Sequence, residues 1–110
     1  MRQFRIDELT REERANIDSY LKRTLLPGAI DGMFWLQLPP DLLADAQQGH
    51  DACGPFYFPV ELSENCLIFE LLVRSQSNLH CSCISYATIA QRDFLLQFID
   101  TLLFEEKIKA

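Results

Sequence analysis

Four side chains that suit metal binding or thiol chemistry lie in two short stretches of the chain. His50 and Cys53 are separated by two residues, and Cys81 and Cys83 by one. Imidazole and thiolate are the ligands that zinc prefers, and four of them can close a tetrahedral structural site. These four residues, the His/Cys cluster, make zinc a possible ligand of the protein. No other cofactor is predicted.

The spacing within the His/Cys cluster leaves two other interpretations open. A Cys-x-Cys pair on a regular strand holds its alpha carbons about 7 Å apart, wider than the paired cysteines of common zinc sites. Free cysteine is often a small core residue, so Cys81 and Cys83 also suit a buried strand face. Redox or nucleophilic thiol chemistry is the remaining interpretation. His80 faces away from Cys81 on a regular strand and is left out of the cluster.

The elements that would position the cluster form a predicted antiparallel meander from Pro55 to Tyr86. Apolar residues alternate over residues 56–62, 66–74 and 79–86, with short polar turns between these stretches. The loop before the first stretch and the start of the third then lie at one end of the sheet, about 10 Å apart across two strand spacings. The cluster can close across that end, whereas Cys66 should lie on the order of 20 Å away at the other end.

Two helices are predicted from capping-box patterns. The first begins at residues 10–13 and is stopped by Pro27, and the second begins at residues 88–91 and runs to about Glu106. Apolar residues of the second helix sweep an arc of roughly 200°, which is too wide for one contact surface. We therefore expect this helix to touch the sheet and also either the first helix or a second subunit.

A strand over Met33–Leu38 and a short helix over Asp41–Gln48 complete the predicted elements. The predicted fold is α+β, with a four-stranded, mainly antiparallel sheet and the N-terminal and C-terminal helices packed on one face. The element order is α-β-short α-β-β-β-α, in one domain spanning residues 1–110.

The sheet face turned away from the helices carries more apolar side chains than a monomer usually exposes. Tyr and Trp are also enriched at protein interfaces, so this face predicts a homodimer or a protein partner. The alternative is an ordinary wetted face, because Glu70 and Arg74 dilute the apolar residues. The outer-face residues are Trp35, Tyr57, Ile68, Leu72, Ile84 and Tyr86.

Charge and motif content argue against several function classes. With 10 basic and 16 acidic residues the net charge is -6, which would repel phosphate backbones and anionic lipid, so neither a nucleic-acid nor a membrane partner is predicted. No stretch has the pattern of a secretory signal or a membrane span, so we expect a cytoplasmic protein with reduced cysteines. No Gly-rich phosphate loop, HExxH motif or nucleophile elbow occurs, and no catalytic residue is predicted.

The expected function is that of a small, acidic, non-catalytic protein-interaction or adaptor module that self-associates through the outer-face residues. The alternative is a metal-binding or thiol-active protein that uses the His/Cys cluster. The sequence favours a non-enzyme, but an enzyme acting on a small molecule stays open because a substrate cleft cannot be read from a sequence.

Overall fold

A computed structural model describes all residues, 1–110, as two helices and a seven-stranded antiparallel sheet. The central path of the sheet runs β1-β5-β4-β3-β2, and β6 pairs with β4 and with β7. The bounds are β1 Gln3–Ile6, α1 Arg11–Thr24, β2 Leu26–Pro27, β3 Met33–Gln37, β4 Phe56–Leu62, β5 Leu67–Glu70, β6 Leu72–Ser75, β7 Ser85–Tyr86 and α2 Ile89–Glu105.

The predicted four-stranded sheet and its element order are wrong, although the mixture of α and β structure is right. The chain begins with a strand, β1, whose residues Phe4 and Ile6 alternate with polar neighbours over a stretch too short to signal a strand by itself. A second unpredicted strand, β2, lies where Pro27 indicated only a helix stop. The third cause of the miscount is that the predicted strand over residues 66–74 is two strands.

The division of that strand into β5 and β6 occurs opposite Pro59. Val60 pairs with Phe69 and Tyr57 pairs with Arg74, so the four residues 70–73 lie opposite only the two residues 58 and 59 of β4. Proline has no N–H to donate to a ladder, which is why it is confined to edges and bulges. The backbone of Leu71, in the gap, turns outward instead: its N–H donates to the carbonyl of Arg2 (3.0 Å), and its own carbonyl accepts from Ala87 (2.8 Å).

The last predicted strand, over residues 79–86, is reduced to two residues because polar side chains capture the backbone before it. The Ser75 hydroxyl accepts from the N–H of Asn78 at 3.1 Å, and the Asn78 side chain accepts from the N–H of His80 at 3.3 Å. Such local bonds compete with strand ladders and favour turns. Cys81 and Cys83 therefore lie in a loop between β6 and β7.

Both predicted helix starts are confirmed. The hydroxyls of Thr10 and Thr88 accept from the amide three residues on, and Glu13 and Gln91 reach back to the cap amides. The predicted helix over Asp41–Gln48 is reduced to a 3₁₀ turn at Pro40–Leu42 followed by further turns. Neither long helix combines the length and the apolar content needed to cross a membrane.

Both helices and one face of the sheet share a single hydrophobic core of 21 buried residues. Leu21 of α1, Leu95 of α2 and Phe58 of β4 are each fully buried in it. The ring of Phe98 on α2 meets Tyr20 of α1 and Phe69 of β5 in edge-to-face contacts. The wide apolar arc of α2 is thus divided between the sheet and α1.

Candidate metal centre

The four ligand atoms of the His/Cys cluster all lie within 4.8 Å of one another. The closest polar contact joins the Cys81 sulfur to Nδ1 of His50 at 3.2 Å. Cys53 and Cys83 are buried, whereas His50 and Cys81 are half-buried. The cluster therefore has a closed inner side of two thiols and an outer side formed by an imidazole and a thiol.

Two loops at the same end of the sheet bring the cluster together. The first loop leads into β4 and the second leaves β6, and the pairing of Phe56 with Ser75 holds these two strand ends side by side. The expected gap of about 10 Å across two strand spacings is closed because the second loop does not continue as a strand. It turns at Cys81, whose carbonyl accepts from the N–H of Ile84 at 3.1 Å.

The first loop is shaped by a single 3₁₀ turn, Asp51–Cys53. The N–H of Cys53 donates to the carbonyl of His50 at 2.9 Å, which brings these two cluster residues to the same side of the turn. Ser75 and Ser77 then donate to the carbonyl of Cys53, the latter at 3.1 Å. Cys53 is thus held by the start of the opposite loop.

A buried amide holds the second loop. Gln47, only 1% exposed, donates through Nε2 to the carbonyl of Cys83 at 2.9 Å. Its Oε1 accepts from the N–H of Ala44 at 2.8 Å and from Nε2 of Gln91 at 3.0 Å. Since Gln91 belongs to the first turn of α2, the loop that carries two cluster thiols is linked by hydrogen bonds to that helix.

The pKa values of the two cysteines in this loop move in opposite directions. The N–H of Cys83 donates to the Cys81 sulfur at 3.5 Å, and this bond, with thiol and imidazole neighbours, lowers the pKa of Cys81 to about 6. Burial, which penalises the charged thiolate, raises the pKa of Cys83 to about 12. A cation between the two sulfurs would favour the thiolate form of both.

The size of the cluster fits a tetrahedral zinc site. With Zn–S bonds of about 2.3 Å, neighbouring sulfurs of a tetrahedral site are about 3.8 Å apart, and the largest separation here exceeds that by about 1 Å. Three thiolates and one imidazole are an established structural zinc set.

Two further residues with suitable side chains lie outside the cluster. His80 is exposed in the turn before Cys81 and is not one of the four clustered residues. Cys66 is buried beside the turn between β4 and β5, where its carbonyl accepts from the N–H of Ser63. This turn lies at the opposite end of β4 from the cluster, as the meander predicted.

The outer-face residues differ in how far they are covered. Tyr57 is buried, and its ring packs edge-to-face against Trp35 at 5.8 Å between centroids. The guanidinium of Arg2 lies 3.9 Å from the centroid of the Tyr86 ring. The other four, like Tyr86, are half-buried: Trp35, Ile68, Leu72 and Ile84. Of these, Ile84 packs against the hydrophobic core. Association through this face stays a prediction.

Sequence reasoning misses the residues that hold the cluster in shape. It places Gln47, Ser75 and Ser77 in a helix or in turns without any role at the site, and no motif marks them. One signal is present: the capping box identifies Gln91, and a capping side chain is fixed in place and offers a second amide proton to a neighbour.

Comparisons with protein-family models, curated proteins and solved structures gave no significant match.

Proposed function

We propose that this protein is a zinc-binding protein in which one Zn²⁺, held by His50, Cys53, Cys81 and Cys83, fastens two loops at one end of the sheet. The observation that carries the proposal is the convergence of four zinc-type ligand atoms within 4.8 Å. A chance gathering of core cysteines does not account for the half-buried imidazole whose Nδ1 meets a sulfur at 3.2 Å.

The hydrogen bonds around the cluster support the same proposal. Metal sites are held by outer partners that orient the ligands, and here the carbonyls of Cys53 and Cys83 are fixed by Ser75, Ser77 and Gln47. No buried side-chain nitrogen or oxygen is left without a partner. Hydrogen bonds thus hold the backbone of two of the four proposed ligands, Cys53 and Cys83.

The expected role of the zinc is structural. Catalytic zinc sites keep a position open for water or substrate, whereas structural sites are closed by four protein ligands. A closed site with three thiolates and one imidazole would contribute to folding and offer no vacant coordination position. The proposal is therefore a non-catalytic one.

Metal content tests the proposal directly. We expect protein purified without added metal to hold one zinc per chain by elemental analysis, and the metal-free protein to take up Co²⁺ with the visible absorption of tetrahedral thiolate coordination. Cys83→Ser should lose the bound metal. Cys66→Ser is the matched control, because Cys66 is an equally buried thiol away from the site, and should retain full stoichiometry. A wild-type protein that neither retains zinc nor binds cobalt contradicts the proposal.

A second proposal, an adaptor that self-associates through the outer-face residues, is favoured by one observation. Leu26, 46% exposed, lies directly opposite Trp35 in the β2–β3 pair, so two large apolar side chains adjoin at this edge of the sheet. Such neighbours suit the centre of an interface.

Molar mass in solution, measured by light scattering over a range of concentrations, tests self-association. We expect a dimer that Trp35→Lys converts to a monomer, because a buried lysine without a partner is costly. The matched control is Phe104→Lys, at an apolar residue of α2 that is 84% exposed. A wild-type protein that stays monomeric at high concentration contradicts this second proposal.

A further inference from the structure

The cluster presents one thiol to solvent and keeps two others out of it. Cys81 is half-buried, while Cys53 is 7% exposed and Cys83 is fully buried. Small oxidants react first with the cysteine sulfur that they can reach. The outer position of Cys81, beside two protected thiols, is the arrangement found where one cysteine is attacked and another resolves the product.

We propose that a hydroperoxide oxidises the zinc-loaded cluster at Cys81, that Cys53 resolves the product to a Cys53–Cys81 disulfide, and that the zinc is thereby released. This regulation of the site rests on the proposed zinc binding. It adds two points to that proposal: the chemical signal is a peroxide, and oxidation causes loss of the metal.

The chemistry balances without any further reactant. The Cys81 thiolate attacks one peroxide oxygen, the O–O bond breaks, and the leaving oxygen takes a proton from water, which gives a sulfenic acid. The Cys53 thiolate then attacks the Cys81 sulfur, the S–S bond forms, and the S–O bond breaks with loss of hydroxide, which is protonated to water. Two electrons from the two sulfurs reduce the peroxide. The zinc loses two of its four ligands.

Cys53 resolves the sulfenic acid because it comes from the other loop. A bridge between Cys81 and Cys83 would close a very short and stiff ring within a turn that the Cys81 carbonyl and the Ile84 N–H hold at 3.1 Å. The Cys53 and Cys81 sulfurs lie within 4.8 Å of each other, so they can reach bonding distance by movement between loops. The disulfide would replace the metal as the link between the two loops.

The experiment uses the full chain loaded with one zinc, treated with stoichiometric hydrogen peroxide in the presence of a chromogenic zinc chelator. We expect one zinc released per chain, two of the four thiols lost, and a Cys53–Cys81 disulfide in the peptide map. Reduction should restore zinc binding. The control Cys66→Ser should release zinc at the wild-type rate, whereas Cys81→His, which keeps four ligands, should release it at least about tenfold more slowly because its outer ligand is no longer a thiol.

The outcomes separate oxidative release from the metal site itself. A chain that binds no zinc before peroxide is added overturns the proposed site and the release together. A chain that binds zinc and keeps it through the treatment, or whose disulfide joins Cys81 to Cys83, to Cys66 or to a second chain, overturns the release mechanism alone. The wild-type peptide map decides this even if Cys81→His does not fold.

Discussion

Two cysteines separated by one residue, Cys81 and Cys83, have opposite electrostatic environments. Cys81 accepts a backbone N–H and is half-buried, while Cys83 is fully buried. Their pKa values therefore fall to about 6 and rise to about 12, respectively. Without a metal, Cys81 carries the negative charge near neutral pH and Cys83 stays a thiol.

The pH dependence of alkylation tests this difference. In the metal-free protein we expect one cysteine, Cys81, to react quickly with iodoacetamide, with a midpoint near pH 6 that follows its thiolate fraction. Mass spectrometry of the digested product identifies the modified residue. The unfolded chain is the control and should show a midpoint near the ordinary thiol value of about 8.5. A folded-state midpoint at that same value would contradict the assigned environment.

The same pKa shifts determine the direction in which the stability of the metal-free fold changes with pH. The folded pKa of Cys81 lies below that of the unfolded thiol, so its contribution to stability is present above the unfolded value of about 8.5 and is lost as the pH falls through about 6. Cys83 acts oppositely. Its folded pKa is raised, so its contribution is present below the unfolded pKa and is lost as the pH rises toward 12.

At this scale the sequence predicts the identities of the cluster residues and not their arrangement. Ligand type and strand direction are enough to select His50 and the three cysteines, because both are read directly from the chain. The turn at Cys81 is not predictable, since it depends on which amides the Ser75 and Asn78 side chains capture. The role of Gln47 depends on the position of α2, which no local pattern contains.

Among the elements, the tight approach of the β2–β3 turn to β4 depends on one glycine. Gly32 has a φ of +87°, and a β-carbon there would lie 2.8 Å from the carbonyl oxygen of Leu62. That same stretch is fixed by a hydrogen bond of 2.7 Å from the N–H of Leu62 to the carbonyl of Gly32. The ladder between β3 and β4 is thus extended at its end by a close backbone approach that a β-carbon at Gly32 would obstruct.

Alanine substitution at two glycines separates backbone strain from this contact. Gly49 has a φ of +78°, and a β-carbon added there would have no atom within 4 Å, so Gly49→Ala should lower the free energy of unfolding by about 1 kcal/mol from strain alone. Gly32→Ala adds the clash and should cost about 2–4 kcal/mol. Urea denaturation of the metal-free variants measures both. Equal losses would contradict the importance of the contact.

The elements are predictable where a local pattern suffices. Both helix starts follow from their capping boxes, and β3 follows from its alternation. The strand count fails because β1 and β2 are short and are stabilised by pairing that no local pattern reveals. Pro59 already conflicts with a regular central strand. Predicting the gap opposite it, however, would require the register of β4 with both β5 and β6.

For the whole molecule, the proposed zinc would act on stability through mass action. A ligand that binds only the folded state adds to the free energy of unfolding in proportion to the logarithm of its concentration. The cluster joins the loop before β4 to the loop after β6, and Gln47 and Gln91 extend this connection to α2. Zinc binding should therefore raise the free energy of unfolding of the entire domain.

Thermal unfolding with and without a chelator measures this coupling. Free zinc at about 100 times its Kd should add about 2.7 kcal/mol to the free energy of unfolding, which corresponds to an increase in Tm of about 10–20 °C for a domain of this size. Cys66→Ser should show the same increase. Cys83→Ser should show none, whatever its absolute Tm, and a zinc-independent wild-type Tm would contradict the coupling.

The position of Cys66 gives the molecule an internal reference for measuring local motion. Its thiol is buried at the far end of β4, while Cys81 stands half-exposed at the near end. A thiol reagent should label Cys81 whenever the metal site opens locally, but it should label Cys66 only when the sheet itself comes apart. The ratio of the two labelling rates therefore reports, within one chain and one experiment, how much of the protein's motion at the metal site occurs without global unfolding.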